Sequence, residues 1–178
     1  MSDHHNTSRT FITTARQFLR DEYLPKIERC LKLLSDEQIW WRPNQESNSI
    51  GNLLLHLCGN ARQWIVCGLG GEEDFRQRQL EFDERRLISR EELLTRTKST
   101  LKTVDATLAQ FDEARLLETF QIQGSTVTAL EAIFHVTEHF SMHTGQIILL
   151  TKMMRETDLS FYDFSSGQPV HTWRANGS

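Results

Sequence analysis

The sequence predicts an all-α protein, specifically a four-helix bundle. Apolar residues recur at three- and four-residue steps in four long stretches, the spacing that places them on one helical face. Two stretches open with a serine or threonine followed three residues later by a glutamate, a pattern typical of helix N-termini. The 178 residues, 38% of them hydrophobic, suffice for one good core. We expect one helical domain over 9–157, between a flexible segment 1–8 and a C-terminal tail 158–178 packed on the bundle.

The first helix is predicted over residues 8–34, where apolar side chains repeat at helical spacing. Pro25 falls inside this pattern, and proline removes a backbone hydrogen bond and clashes with the preceding turn. We therefore expect a kink or a break near Tyr23. His4 and His5 precede the helix, and we expect them to be surface histidines rather than ligands. The residues predicted to face the core are Phe11, Ala15, Phe18, Leu19, Ile27, Leu31 and Leu34.

The second helix is predicted over residues 49–67, with Ser49 as its N-cap and Gly68 as its stop. This stretch is apolar on most faces, which favours a central position among the helices. Residues 69–88 carry charges of both signs and are predicted to form a solvated loop or a short helix. Ser89 and Glu92 form a predicted capping box that opens a third helix reaching residue 111.

Residues 119–127 are predicted to form a small hairpin or an extended connector around Gly124. Thr128 and Glu131 then open a fourth helix that reaches residue 156, a length of about 42 Å. Gly145 lies inside this helix, where glycine costs about 1 kcal/mol relative to alanine, so we expect a close packing contact there. The long connector 68–88 can cross the length of the bundle and leave the second and third helices parallel.

Bulk properties exclude several classes of function. The net charge is −4 and no basic stripe is visible, which argues against a nucleic-acid partner. No apolar run approaches the roughly 18 residues of a membrane span, and the first residues lack the features of a signal peptide. Cys30, Cys58 and Cys67 are odd in number and form no Cys-x-x-Cys pair, as expected of free thiols in a reducing compartment. We therefore expect a cytoplasmic protein.

A ladder of histidines lies in the fourth predicted helix. His135, His139 and His143 follow one another at four-residue intervals, and four residues advance a helix by roughly 40° and 6 Å. Neighbouring members therefore share a face, and two such imidazoles can hold one divalent metal ion. His56, inside the second helix, can supply a third ligand from a facing helix. The alternative is a metal-free core in which these histidines hydrogen-bond to other groups.

Two pairings of the ladder are possible. His135 and His139, with Glu138 between them, match the His-x-x-Glu-His pattern of inverted zinc proteases, in which the glutamate is the general base. That chemistry needs a further acidic ligand well downstream, where few candidates follow. They are Glu156, Asp158 and Asp163. We therefore favour His139 and His143 as the metal-binding pair, with His135 as a neighbouring pocket group.

These motifs resemble those of a known family. The stretch containing His139, His143 and Gln146, taken with His56 and Asn60, resembles the DinB-like (damage-inducible, YfiT-type) superfamily of metalloenzymes, in a branch of unestablished role. The likeness covers about residues 8–156. It implies a four-helix bundle of up-down-down-up order, a homodimer, and a zinc or nickel ion held by three histidines. His56, His139 and His143 match the ligand positions.

The resemblance also implies a class of activity. Some members transfer a low-molecular-weight thiol to an electrophile and others are suspected hydrolases, so we expect a metal-dependent small-molecule transferase, with a hydrolase as the alternative. A non-catalytic, metal-stabilised dimeric bundle is the second alternative. A metal held by three neutral histidines keeps an open position, as catalytic sites do. The residues expected to line the pocket around it are Asn60, Trp64, His135 and Gln146.

Overall fold

The computed structural model describes the backbone of residues 2–173 and the side chains of residues 7–173. The side chains of His4 and His5, and residues 174–178 of the predicted tail, lie outside this description. Helices dominate the described chain, and none of them is long and apolar enough to cross a bilayer. The α-helices are α1 (Ser2–Gln17), α2 (Leu24–Lys32), α3 (Asp36–Trp40), α4 (Ile50–Ala61), α5 (Arg78–Asp83), α6 (Arg90–Gln110) and α7 (Ala129–Arg155).

A π-helical turn, Phe18–Tyr23, joins α1 to α2 where the sequence predicts a kink or a break. The Leu24 amide donates to the carbonyl of Leu19, five residues back, and Pro25 stands in the first turn of α2. Proline is tolerated in the first turn of a helix because the backbone N–H that it lacks has no hydrogen-bond partner within the helix at this position. The helix therefore continues through Pro25. It also begins at Ser2, earlier than predicted, and Phe18 is 42% exposed instead of facing the core.

Side-chain caps set the starts of the two later long helices. Thr128 and Glu131 form the complete capping box predicted for α7. At α6 the prediction is half right. Ser89 Oγ accepts from the Glu92 amide, but the Glu92 carboxylate pairs with Arg96 one turn later instead of returning to the cap. The ion pair thus replaces the second bond of the predicted box.

A two-residue hairpin leads into α7, as one of the two sequence alternatives predicts. Strand β1 (Thr119–Ile122) pairs antiparallel with β2 (Ser125–Thr128). Gln123 and Gly124 between them have φ of 53° and 78°. This left-handed conformation at both positions is that of a type I′ turn, which matches the twist of the paired strands.

The core forms around α4, which packs against α3, α5, α6 and α7. Ile50, Leu54, Leu57 and Ala61 lie on one face of the helix and are at most 1% exposed, and Asn52 and His56 on the opposite side are buried as well. The predicted central position of this helix is therefore confirmed. The helices α1 and α2 contact both α6 and α7, so the long helices share one apolar core.

The tail runs back over α2. Strand β3 (Tyr162–Asp163) pairs with β4 (Val170–His171). The Arg29 guanidinium donates to the Leu159 and Ser160 carbonyl oxygens at 3.1 and 2.7 Å. The Trp173 indole N–H donates to the Asp21 carbonyl at 2.9 Å. Leu159 is 2% exposed, so the start of the tail contributes to the core.

Candidate metal centre

Helices α4 and α7 bring three histidines together. His56, His139 and His143 each direct a ring nitrogen to one region, and these nitrogen atoms lie within 4.8 Å of one another. The Nε2 atoms of His56 and His139 are 2.9 Å apart. His56 is 5% exposed and His143 is 8% exposed. The arrangement could hold a metal ion, and its members are the three residues predicted as ligands.

Packing of apolar neighbours aims the α7 histidines at α4. Phe140 and Ile147 are fully buried on α7 and keep this face of the helix against the core. His139 and His143 lie one turn apart beside them, and their ring centroids are 4.4 Å apart. Helical periodicity therefore places both imidazoles on one side of α7, and the packing of this helix turns that side towards His56.

Hydrogen bonds determine which nitrogen each buried histidine offers. His143 Nδ1 donates to Gln146 Oε1 at 2.6 Å, and its Nε2 has no partner among the described residues. His56 Nδ1 lies 2.8 Å from Glu81 Oε2. A carboxylate only accepts, so the proton of His56 lies on Nδ1 and its Nε2 keeps the lone pair that faces His139 Nε2 at 2.9 Å. A buried nitrogen without a partner is costly, and a metal ion at this point would satisfy it.

The electrostatic surroundings of His139 and His143 favour the neutral imidazole, the form that binds metals. Burial, together with the proximity of His143 and His56, lowers the pKa of His139 to about 3. Burial also lowers the pKa of His143, although its bond to Gln146 opposes this shift. Three neutral nitrogen donors match the ligand count of a catalytic zinc site, in which a fourth position stays open.

His135 lies beside this cluster rather than within it. Its Nε2 accepts a hydrogen bond from Asn60 Nδ2 at 3.1 Å, so this lone pair is already engaged. The ring packs against Trp64 at 4.2 Å and against His139 at 5.3 Å between centroids. Glu138, the base of the protease pattern, is exposed. The geometry thus disfavours the pairing of His135 with His139.

Of the predicted pocket residues, Asn60 and Trp64 contact His135, and Gln146 contacts His143. Asn60 is 4% exposed, and its Oδ1 has no hydrogen-bond partner among residues 7–173. The indole N–H of Trp64 donates to Gln123 Oε1 at 3.0 Å. Trp64 belongs to a second π-helical turn, Arg62–Cys67, which follows α4 directly. Such turns occur frequently at functional sites, and nothing in the sequence pattern predicts this one.

The connector between α4 and α6 supplies two residues that the sequence did not predict for the site. Glu81, on α5, accepts from His56 Nδ1, and Arg76 donates to both of its carboxylate oxygens at 2.8 and 2.9 Å. The side chains of Glu81 and Arg76 are only 12% and 6% exposed. Burial opposes ionisation of Glu81, but the bonds from Arg76 and His56 outweigh it and hold its pKa below the ordinary value. A segment predicted to be solvated is therefore part of the centre.

Two helical glycines differ in what surrounds them. A Cβ on Gly59 would lie 2.0 Å from Glu81 Oε1 and 2.9 Å from Arg76 Nε, so this glycine makes room for the ion pair. In the sequence, only the presence of a glycine inside a predicted helix could have indicated that another chain segment approaches α4 at residue 59. For Gly145 the predicted close contact is wrong, because a Cβ there would meet nothing within 4 Å.

Comparison with known proteins places the fold. A family model described as "Protein of unknown function (DUF1572)" matches residues 6–168. A conserved protein from Enterococcus faecalis aligns with a TM-score of 0.69 at 14% identity, over 82% of this chain and 97% of that one. The DinB-like protein YjoA from Bacillus subtilis gives 0.63 at 19% identity, over 86% and 97%. A DinB-like protein from Bacillus cereus gives 0.60 at 16% identity, over 77% and 90%. No curated protein matches the sequence.

Proposed function

Since this chain belongs to the DUF1572 family, a DinB-like family, we propose that it is a divalent-metal-dependent enzyme acting on a small molecule. His56, His139 and His143 would hold the ion, zinc or nickel. The observation that carries the proposal is the convergence of three imidazoles, two of them buried and one half-buried, and one with an Nε2 that has no other described partner. We also propose that the long helices form a four-helix bundle of up-down-down-up order.

The proposed reaction is transfer of a low-molecular-weight thiol. A bound ion of this kind activates a thiolate or lowers the pKa of a water to about 7. Three neutral ligands leave the ion its full positive charge, which favours an anionic thiolate as the further ligand. Asn60 offers a buried acceptor beside the centre, and Trp64 with His135 offers an aromatic wall.

Metal content tests the first part of the proposal. We expect untagged protein, purified without added metal, to carry about one divalent ion per chain in elemental analysis. His56→Ala, His139→Ala and His143→Ala should each lose most of it. The matched control is His171→Ala, because His171 lies in β4 on the tail. A low metal content that His139→Ala leaves unchanged would contradict metal binding.

Ligand exchange separates an enzyme from a non-catalytic, metal-stabilised bundle. We expect the spectrum of the cobalt-substituted protein to shift when azide or a small thiol is added, because an open position accepts them. A panel of thiols and electrophiles should then yield turnover that His143→Ala abolishes. Turnover of esters or amides without any thiol would favour the hydrolase alternative, and an unresponsive cobalt spectrum would favour the non-catalytic bundle.

A homodimer formed through α7 is the proposed assembly. Phe134, Met142, Leu149 and Met153 lie along one side of this helix and are 48–59% exposed. Glu138 and Lys152 are both exposed and stand seven residues from Gly145 on either side. Two antiparallel copies of α7 crossing at Gly145 would therefore bring Glu138 to Lys152 of the partner subunit.

Sedimentation velocity tests this assembly. We expect a dimer at micromolar concentration that Leu149→Glu dissociates, because a buried charge without a partner is costly. Leu80→Glu, at an equally exposed leucine on α5, is the matched control. A monomeric wild-type chain would overturn the assembly.

The cytoplasmic location proposed for the protein is supported by its cysteines, which are all free thiols.

A further inference from the structure

We propose that Arg76 and Glu81 act as a clamp that positions His56 for metal binding, with the carboxylate fixing the Nδ1–H tautomer of the imidazole. The metal-binding part of this inference rests on the function proposed above. The clamp itself is a feature of the chain that can be measured without any metal. It would make the connector between α4 and α6 part of the metal centre.

Competition between two contacts explains why the carboxylate is needed. His56 Nδ1 lies 2.8 Å from Glu81 Oε2 and 3.1 Å from Arg76 Nη2. The carboxylate requires a proton on Nδ1, whereas the guanidinium, which only donates, requires a lone pair there. Glu81 prevails because its Oε2 lies closer to Nδ1 than Arg76 Nη2 does, and because Arg76 already donates to both of its carboxylate oxygens. Nε2, the atom facing His139, consequently keeps its lone pair.

Removing the carboxylate should reverse this outcome. Without Glu81, Arg76 is left to donate to His56 Nδ1, and the proton of the imidazole moves to Nε2. A proton on Nε2 occupies the lone pair that faces the other histidines, so the ring can no longer bind an ion through this atom. Glu81 therefore positions His56 in two ways, by orienting the ring and by choosing its tautomer.

The seat of the clamp is built into α4. The Asn52 side-chain amide donates to the Glu81 and Glu84 carbonyl oxygens at 2.9 and 3.1 Å, which holds the end of α5 against α4. Gly59 leaves the space that the carboxylate occupies. Arg76 Nη1 donates to Gln63 Oε1 at 2.7 Å. Both members of the ion pair are thus held in place, Glu81 through the bonds from Asn52 to the end of α5 and Arg76 through its bond to Gln63. Such support gives a buried ion pair one geometry.

Docking of the connector and binding of the ion are therefore linked. If packing of the connector on α4 favours the metal-binding tautomer of His56, then metal binding must favour the packed connector by the same free energy. Changes of this kind around a metal ligand typically reduce affinity by about 10- to 100-fold. We expect that loss in Glu81→Ala, together with a less protected connector in hydrogen exchange.

The test uses the untagged chain of 178 residues and two measurements. In metal-free protein labelled with ¹⁵N-histidine, NMR should show Nδ1–H for His56 in the wild type and Nε2–H in Glu81→Ala. Cobalt affinity, measured by chelator competition, should fall about 10- to 100-fold in Glu81→Ala. Glu81→Gln keeps an acceptor oxygen and should retain the wild-type tautomer, with a smaller loss of affinity. Glu72→Ala is the matched control, because Glu72 lies in the same connector and pairs with Arg62 at the surface.

A second pair of variants tests the seat without changing any charge. Gly59→Ala should displace the carboxylate and weaken cobalt binding, whereas Gly145→Ala, with open space around it, should not. An unchanged tautomer in Glu81→Ala, or wild-type affinity in both Glu81→Ala and Gly59→Ala, would overturn the clamp. A wild-type chain that shows Nδ1–H at His56 yet binds no metal would instead overturn the proposed function and leave the clamp standing. If Glu81→Ala does not fold, Gly59→Ala provides the tautomer test, because the added Cβ displaces the carboxylate and should move the proton of His56 to Nε2.

Discussion

At the scale of single residues, Gln146 has a defined part in the centre. Its side-chain oxygen accepts from His143 Nδ1 at 2.6 Å, which leaves Nε2 as the free nitrogen of that ring. Gln146 itself is exposed and contributes little to the core. The sequence placed it one turn from His143, but only the side-chain contact shows which tautomer it selects.

We therefore expect Gln146→Ala to weaken cobalt binding by about 10-fold, as other losses of outer hydrogen bonds to metal ligands do. The free energy of unfolding of the metal-free protein should change by less than about 0.5 kcal/mol, since the residue is at the surface. Chelator competition and urea unfolding measure the two quantities. Gln121→Ala, at an exposed glutamine of the hairpin, is the control. Equal affinities for the two variants would show that Gln146 has no such part.

The buried histidines predict a pH dependence of the metal-free protein. The pKa of His139 is about 3 in the folded chain against an ordinary value of 6.5. Between these values the unfolded chain binds more protons, so stability is full above about pH 6.5 and falls as the pH decreases towards 3. The slope for one histidine is at most about 1.4 kcal/mol per pH unit.

Urea unfolding of the metal-free protein at several pH values between 4 and 7 measures this slope. His139→Gln should flatten it, because the variant lacks the group that protonates on unfolding. The control His171→Gln should have a slope of stability against pH that is closer to the wild-type slope. A slope that His139→Gln does not change would assign the loss of stability to other groups.

At the scale of elements, α7 carries a glycine that its own packing does not require. Nothing lies within 4 Å of a Cβ built on Gly145, whereas α4 needs Gly59 for the approach of Glu81. Glycine inside a helix costs about 1 kcal/mol relative to alanine. The same substitution should therefore have opposite effects in the two helices.

We expect Gly145→Ala to raise the free energy of unfolding of a single chain by up to about 1 kcal/mol, and Gly59→Ala to lower it. Urea unfolding at low protein concentration, where the proposed dimer dissociates, measures both. A destabilised Gly145→Ala monomer would mean that an unseen contact within the chain fills this space.

At the scale of the whole molecule, a bound ion joins α4, α7 and, through Glu81, the connector that carries α5. Its binding should therefore stabilise the entire domain rather than one helix. A ligand that binds only the folded state stabilises it by about 2.7 kcal/mol at 100 times its Kd.

We accordingly expect zinc or nickel to raise the Tm of the wild-type chain by several degrees, and EDTA to reverse the rise. His143→Ala should show no such shift. Differential scanning calorimetry with and without metal measures it, and His171→Ala, which keeps the three converging histidines, should respond as the wild type does. Equal shifts in His143→Ala and the wild type would place the ion elsewhere.

The sequence by itself determined the local features of this protein. Helical periodicity located the long helices, and the capping residues Ser49 and Thr128 marked where two of them begin. The four-residue spacing placed His139 and His143 on one face of α7. These features depend on residues within one or two turns of each other, which is why pattern and spacing suffice to predict them.

Only the tertiary structure decided how the centre is completed. His56 lies 83 residues before His139, and their convergence depends on how α4 packs against α7. The connector that carries Glu81 has no periodicity, so its charges indicated solvent until packing brought one of them to His56. The tautomer of His56, the pKa values and the place of Trp64 follow from contacts between distant segments and from a π-helical turn. Such contacts exist only once the chain is folded, because their energies depend on burial and distance rather than on neighbours in sequence.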